Sequence, residues 1–217
     1  MKKSNIILIG LLVIFIVTIV VLQLQIRSQI TNIKEIDFSY NHFTKLEVQS
    51  GWRVELYNDT STKVTVNSTD LKNLISLNGN QLVLKKAEDD TLSRKVIKIS
   101  NSNTKHLATS GNSLLFYYCD SPDSLFLELS DKSNIIIDSK KPKEGEEKKP
   151  GQEGKIAFLD FTALNQSKLN IYLDIDELQG NLIDKSSCHL TGAVNFKNVY
   201  KSKESVINTW RRNQLNL

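Results

Sequence analysis

Four carboxylates in the second half of the chain, Asp160, Asp174, Asp176 and Asp184, have the most scope for chemistry. Paired acids at a set separation cleave glycosidic bonds, one as general acid and the other as base or nucleophile. Enzymes that cleave acidic polysaccharides also need basic groups to neutralise a uronate, and no arginine stands between Arg94 and Arg211. The four acids share no phase in the repeat described below and fall near predicted corners, where solvated acids are ordinary. No residue is therefore expected to be catalytic, cofactor-binding or metal-binding. His42, His106 and His189 are far apart, and no Cys/His spacing resembles a zinc motif. They read as surface or corner residues. Gly-rich phosphate loops and G-x-S-x-G elbows are missing. Cys119 and Cys188 could pair in an oxidising compartment. Their different phases in different repeats predict instead two buried free thiols.

The elements that must carry these residues are clearest in LFLELSDKSNIIID, from Leu125 to Asp138. Leu125, Leu127 and Leu129 alternate with Phe126, Glu128 and Ser130, and Ile135 and Ile137 resume the alternation beyond a polar corner. That period is a strand's, one parity entering a core and the other meeting solvent. The corner, Ser130 to Asn134, holds short side chains that bond the local backbone. Serines comparable to Ser133 stand at Ser113, Ser167, Ser186 and Ser205, at intervals of 20, 34, 19 and 19 residues. Two residues after each anchor come Leu115, Ile135, Leu169, Cys188 and Ile207; four after come Tyr117, Ile137, Ile171, Leu190 and Thr209. An apolar column at constant phase and a period near twenty predict stacked coils of a β-solenoid. An antiparallel sheet with regularly spaced turns is the alternative. The last repeat is degraded, with Lys201 where the others have Leu129, Ala163 and Leu182, as befits a terminal coil.

Upstream, short β-type runs are predicted at residues 45–48, 53–56, 63–66, 74–77, 81–84 and 96–99, with a hairpin turn at Asn78-Gly79. At the start of the chain, Met1-Lys2-Lys3 precedes an uncharged apolar run from Ile6 to Leu22. Seventeen helical residues cover ~26 Å, and Leu24 and Ile26 extend the apolar face toward the ~30 Å of a bilayer core. The run exits through Gln23, Gln25, Arg27 and Gln29 without a small-residue cleavage triplet. Residues 1–26 are therefore expected to be an uncleaved signal-anchor transmembrane segment, with the N-terminus cytoplasmic and the remainder exported. A polar stalk, 27–37, leads to the β domain, 38–212, and a short tail, 213–217.

Residues 43–57 (FTKLEVQSGWRVELY), then Lys63-Val64-Thr65-Val66, then Leu74 through Gly79 to Leu84, resemble the start of the head GIN domain family. Its members are cell-envelope proteins of Bacteroidetes-type bacteria, assigned as auto-transporter adhesins. The resemblance extends to about Thr209 and implies a right-handed β-helix-like fold with no catalytic residues. Corners here use Ser, Lys and Asn where relatives often use Gly, and the run from Lys140 to Lys155 is an addition. That run holds six lysines, four glutamates, two prolines and three glycines and can bury nothing, so it is expected to be a solvated insertion.

Aromatic residues fill predicted places. Trp52, beside Gly51, is expected to pack over the first turn of the domain, and Trp210 to cap the open end of the stack. Phe116, Tyr117 and Tyr118 adjoin one another, so at least one ring must face outward. A net charge of +4 with basic and acidic residues interspersed lacks the clustered cationic face of a nucleic-acid binder. The reading that results is a membrane-anchored, non-enzymatic envelope module with a protein or glycan partner. The alternatives are a β-helix polysaccharide lyase or glycoside hydrolase, and a self-associating scaffold.

Overall fold

The computed structural model describes residues 12, 15–23, 34–36, 42–66, 69–86, 95–139 and 154–210, and the chain divides into two units, Met1–Lys34 and Glu35–Leu217. In the first unit residues 15–23 are helical, and Phe15, Ile16, Val17, Ile19, Val20, Val21 and Leu22 are all exposed. Among the described residues no helix is long and apolar enough to cross a membrane. The expected span from Ile6 to Leu22 reaches over residues outside that set.

The second unit is built of strands. The first seven are β1 (Lys34–Ile36), β2 (Lys45–Val48), β3 (Trp52–Tyr57), β4 (Lys63–Val66), β5 (Ile75–Asn78), β6 (Gln81–Leu84) and β7 (Lys95–Ser100). There follow β8 (His106–Thr109), β9 (Leu114–Tyr118), β10 (Ser124–Leu129), β11 (Asn134–Asp138) and β12 (Lys155–Ala163). The last five are β13 (Lys168–Ile171), β14 (Asp174–Leu182), β15 (Ser187–Leu190), β16 (Val194–Lys201) and β17 (Val206–Thr209). A short 3-10 helix, Thr69–Leu74, precedes β5 and has no counterpart in the sequence reading. Among the described residues the strands form two sheets, in the orders β1-β4-β7-β3-β9-β11-β13-β15-β17 and β16-β14-β12-β10-β8-β2-β6-β5.

From β8 onward the chain passes from one sheet to the other at every step, and each strand pairs in parallel with the strand two places on. Leu125 to Asp138 is thus no hairpin: β10 lies in one sheet and β11 in the other. The predicted columns are real. Leu115, Ile135, Leu169, Cys188 and Ile207 stand in register, and Val54 continues the column at the other end. In the facing sheet Leu46, Leu107, Leu127 and Phe161 form a matching column that ends at Gly180 and Val199. A Cβ at Gly180 would overlap the Phe161 carbonyl oxygen and crowd its ring, so the absent side chain makes room for a buried aromatic.

The serine anchors explain how the chain turns between sheets. Ser113, Ser133, Ser167, Ser186 and Ser205 are all buried. Ser133, Ser167, Ser186 and Ser205 each donate a backbone N–H to the carbonyl three residues earlier, closing tight turns. The central pairs Asp131-Lys132, Asn165-Gln166 and Asp184-Lys185 all have positive φ, as do Gly111 and Asn112 one corner earlier. Both central residues in the left-handed region define a mirror-image turn, which here carries the chain from one sheet into the other. Successive corners are tied by backbone bonds from Asn112 to Asp131, Lys132 to Asn165 and Gln166 to Asp184. The serine hydroxyls add side-chain bonds to carbonyls of the neighbouring coil: Ser113 donates to Gln49 (2.9 Å), and Ser133 to Thr109 (3.1 Å), whose carbonyl also accepts from the Ser130 N–H (3.0 Å).

At the N-terminal end the spatial order departs from the sequence order. The β2 and β3 pair sits between β6 and β7 on one side and β8 and β9 on the other. The crossing is pinned by Asn101, fully buried, whose amide donates to the Phe43 carbonyl (2.6 Å) and to the Thr104 hydroxyl (2.7 Å).

Several expectations need correction. Asn78 is the last residue of β5 and pairs with Gln81, so the hairpin turns on Gly79 and Asn80, with Gly79 at φ +60°. Lys155 belongs to β12, its N–H bonded to the Asp120 carbonyl (3.0 Å), so the insertion ends before it; residues 140–153 lie outside the described set. Trp210 continues the ladder through its backbone, donating to Leu190 (2.8 Å), but its side chain is 71% exposed and caps nothing. What ends the stack is polarity: inward positions of β16 opposite Leu178 and Leu182 are Lys197 and Lys201.

Candidate functional site

The expected carboxylates do not converge. Asp160 lies mid-strand on the outer face of β12, opposite Gln179, and Asp176 lies within β14, so neither is the corner residue that the repeat suggested. Asp174 accepts from the Ala193 N–H (2.7 Å), and Asp184 is an exposed corner residue. Asp176 accepts from Asn195 (2.7 Å) and from the Lys155 ammonium (2.7 Å), which holds its carboxyl below the usual range. Among the described residues no His, Cys, Asp and Glu group is placed to hold a metal ion. Arg94 and Arg211 lie outside the described residues.

Both cysteines are free and buried, as their phases predicted. Burial raises the Cys188 thiol to about 12 and pushes Cys119 higher still. Trp52 is a core residue of β3, its indole N–H donating to the Lys85 carbonyl (3.0 Å). The aromatic run splits by parity: Tyr117 is buried, while Phe116 and Tyr118 face outward. The Tyr118 ring stacks on Tyr57 (5.0 Å), and the Arg53 guanidinium lies over Phe116 (5.3 Å). The Tyr57 hydroxyl donates to Glu55 (2.9 Å), which also lies 3.9 Å from the Arg53 guanidinium. Burial first and the Glu55 hydrogen bond second push the Tyr57 phenol upward. Arg53, Glu55 and Tyr57 thus spend their polar groups on one another.

The facing sheet is different. A trough of about 640 Å³ crosses the outer side of β2, β8, β10 and β12. Its floor is one outward row in register, Glu47, Ala108, Glu128 and Thr162. One wall is the neighbouring row, Gln81, Lys45, His106 and Phe126. The other wall is the corner edge, Ser110, Ser130 and Leu164. Ala108, with only a methyl group, gives the floor its depth between two glutamates. The Glu47 carboxylate is fixed by amides on both oxygens, Gln49 at 2.8 Å and Gln81 at 2.7 Å. The His106 ring stacks nearly parallel on Phe126 (4.6 Å, 13°), and Phe158 is tilted against Phe126 (6.0 Å, 58°). Burial and then the neighbouring Lys45 charge lower the His106 pKa, with Glu128 opposing them.

Of the trough residues, the sequence marked His106 alone as a candidate ligand, and placed it at the surface or a corner. It is a strand residue stacked in a wall. The parity of Phe126 and Glu128 marked them as outward, but their neighbours Ala108 and Thr162 come from other strands. Only the register between strands shows the row.

No family model and no curated protein matches the chain. Among solved structures, a "putative adhesin" of Bacteroides fragilis is 11% identical with a TM-score of 0.46, covering 82% of this chain and 96% of that one. A "putative lipid binding protein" of Parabacteroides distasonis is 11% identical with a TM-score of 0.39, covering 83% and 97%. A "putative adhesin" of Parabacteroides merdae is 12% identical with a TM-score of 0.35, covering 83% and 97%.

Proposed function

We propose that the chain is a membrane-tethered, exported binding module of the bacterial cell envelope, of the head GIN type, and that it catalyses no reaction. In this reading the two sheets are the sides of a right-handed β-solenoid, and its ligand-facing surface is the trough over Ala108. The trough carries the proposal: an open, mixed polar and aromatic depression on a sheet whose opposite face is sealed into the core. Glu47 is clamped by two amides, an arrangement suited to accepting hydrogen bonds from a bound molecule. The tether rests on the uncharged run from Ile6 to Leu22 behind Lys2 and Lys3. Every described apolar side chain of helix residues 15–22 is exposed, as an all-apolar helix surface destined for lipid would be.

A phosphatase reporter that is active only outside the cytoplasm, fused after Leu217, tests the tether. Activity in the membrane fraction, lost when residues 1–26 are removed, is the expected result. Reporter activity in the soluble fraction of cells carrying the full chain would refute membrane anchoring.

A further inference from the structure

We infer that the trough over Ala108 binds an uncharged oligosaccharide laid across β2, β8, β10 and β12; this rests on the binding-module reading and names its ligand class. All four strands are paired on both sides, so no backbone edge is open for a peptide to join as a further strand. Recognition at this place has to come from side chains. The floor from Glu47 to Thr162 spans three strand spacings, ~14 Å, room for a short chain of linked rings.

The polar groups of the floor favour a ligand rich in hydroxyl donors. A carboxylate offers about four acceptor positions, and Glu47 uses one on each of two glutamine amides. Its remaining positions are held in place for incoming O–H groups. Glu128 is exposed and makes no hydrogen bond or ion pair among the described residues. An acidic polymer would meet these two carboxylates, with Lys45 the one lysine among the lining residues and Lys105 beside the His106 wall. A lysine-rich peptide is the rival occupant, drawn by the two carboxylates and the ring wall but opposed by Lys45, and the titration below separates it. Along that wall the C–H groups of a sugar ring pack against the outer edges of the stacked His106 and Phe126 rings.

The test is calorimetric titration of the full chain in detergent micelles. The probes are a β-1,4-linked glucose hexamer, an N-acetylglucosamine hexamer, a uronate hexamer and a lysine-rich peptide. Two variants accompany the parent chain: Ala108→Trp, which fills the floor, and Glu128→Gln, which keeps its size. An unchanged thermal unfolding midpoint shows that each still folds. The expected result is binding of at least one neutral hexamer, weakened at least tenfold by Ala108→Trp and severalfold by Glu128→Gln, with none for the uronate. Absence of neutral hexamer binding, or equal binding by Ala108→Trp, overturns the inference. Peptide binding that Ala108→Trp removes, without saccharide binding, overturns the ligand class while leaving the binding module in place. If no probe's binding responds to Ala108→Trp, both the ligand class and the trough as a binding surface fall.

Discussion

At Ser133 the hydroxyl donates to the Thr109 carbonyl (3.1 Å) while accepting from the Thr109 hydroxyl (3.0 Å), all in the buried interior. Ser133→Ala strands a buried hydroxyl and loses a donor to a buried carbonyl, so it is expected to cost about 1–3 kcal/mol in urea unfolding. Ser130→Ala, at a half-buried residue bonded to its neighbour Asp131, should stay within about 0.5 kcal/mol of the parent. Equal losses at the two positions would refute the account of the buried serines. The cysteines give a pH prediction. Their folded pKa values are raised above the ordinary 9.0 by burial, Cys188 to about 12. The buried neutral thiols therefore stabilise the fold fully below pH 9, and that contribution declines as pH rises toward 12. Cys188→Ala should blunt the alkaline decline in stability. In the native state at neutral pH both thiols should resist iodoacetamide and react only after unfolding, as mass spectrometry would read.

Each of the corners closed by Ser133, Ser167 and Ser186 is an element in its own right, two residues of positive φ followed by the buried serine. Asp131, Lys132, Asn165, Gln166, Asp184 and Lys185 hold this geometry without glycine, although L-residues there cost about 1–2 kcal/mol each. The backbone bonds from corner to corner supply the compensation, and they run through all these turns. At the final corner the pattern stops: Lys203 and Glu204 are not among the positive-φ residues. Lys132→Ile should lower stability by roughly 1–2 kcal/mol through the β-branched side chain's conflict with positive φ. Lys203→Ile should cost little. Thermal or chemical unfolding of the two variants separates these outcomes.

Across the second unit, two sheets cover one core, and among the described residues their final strands β16 and β17 have a neighbouring strand on one side only. Such an edge is a template for further pairing unless something blunts it. Here Lys197 and Lys201 occupy inward positions where Leu178 and Leu182 stand one strand earlier. Phe196 and Tyr200, on the outer side of the same strand, remain exposed. Replacing both lysines with leucine should leave the fold intact and cause self-association. Light scattering on the double variant, read at rising concentration, would show it; a monodisperse double variant would mean that the lysines do not guard the edge.

The sequence by itself determined the strands, the buried parity and the corners, because alternation is a local property and a serine at constant phase marks a local turn. It also specified the columns from Leu115 to Ile207 and from Tyr117 to Thr209, since a fixed repeat length carries register from one strand to the next. Only the tertiary structure decided that the β2 and β3 pair lies between β7 and β9 in one sheet and between β6 and β8 in the other. That placement is held by contacts such as Asn101 to Phe43, 58 residues apart, which no period encodes. The trough follows from it. Glu47 reaches Ala108 and Glu128 because the earlier strand is seated beside β8, and a row drawn from strands remote in the chain has no signature in the order of residues.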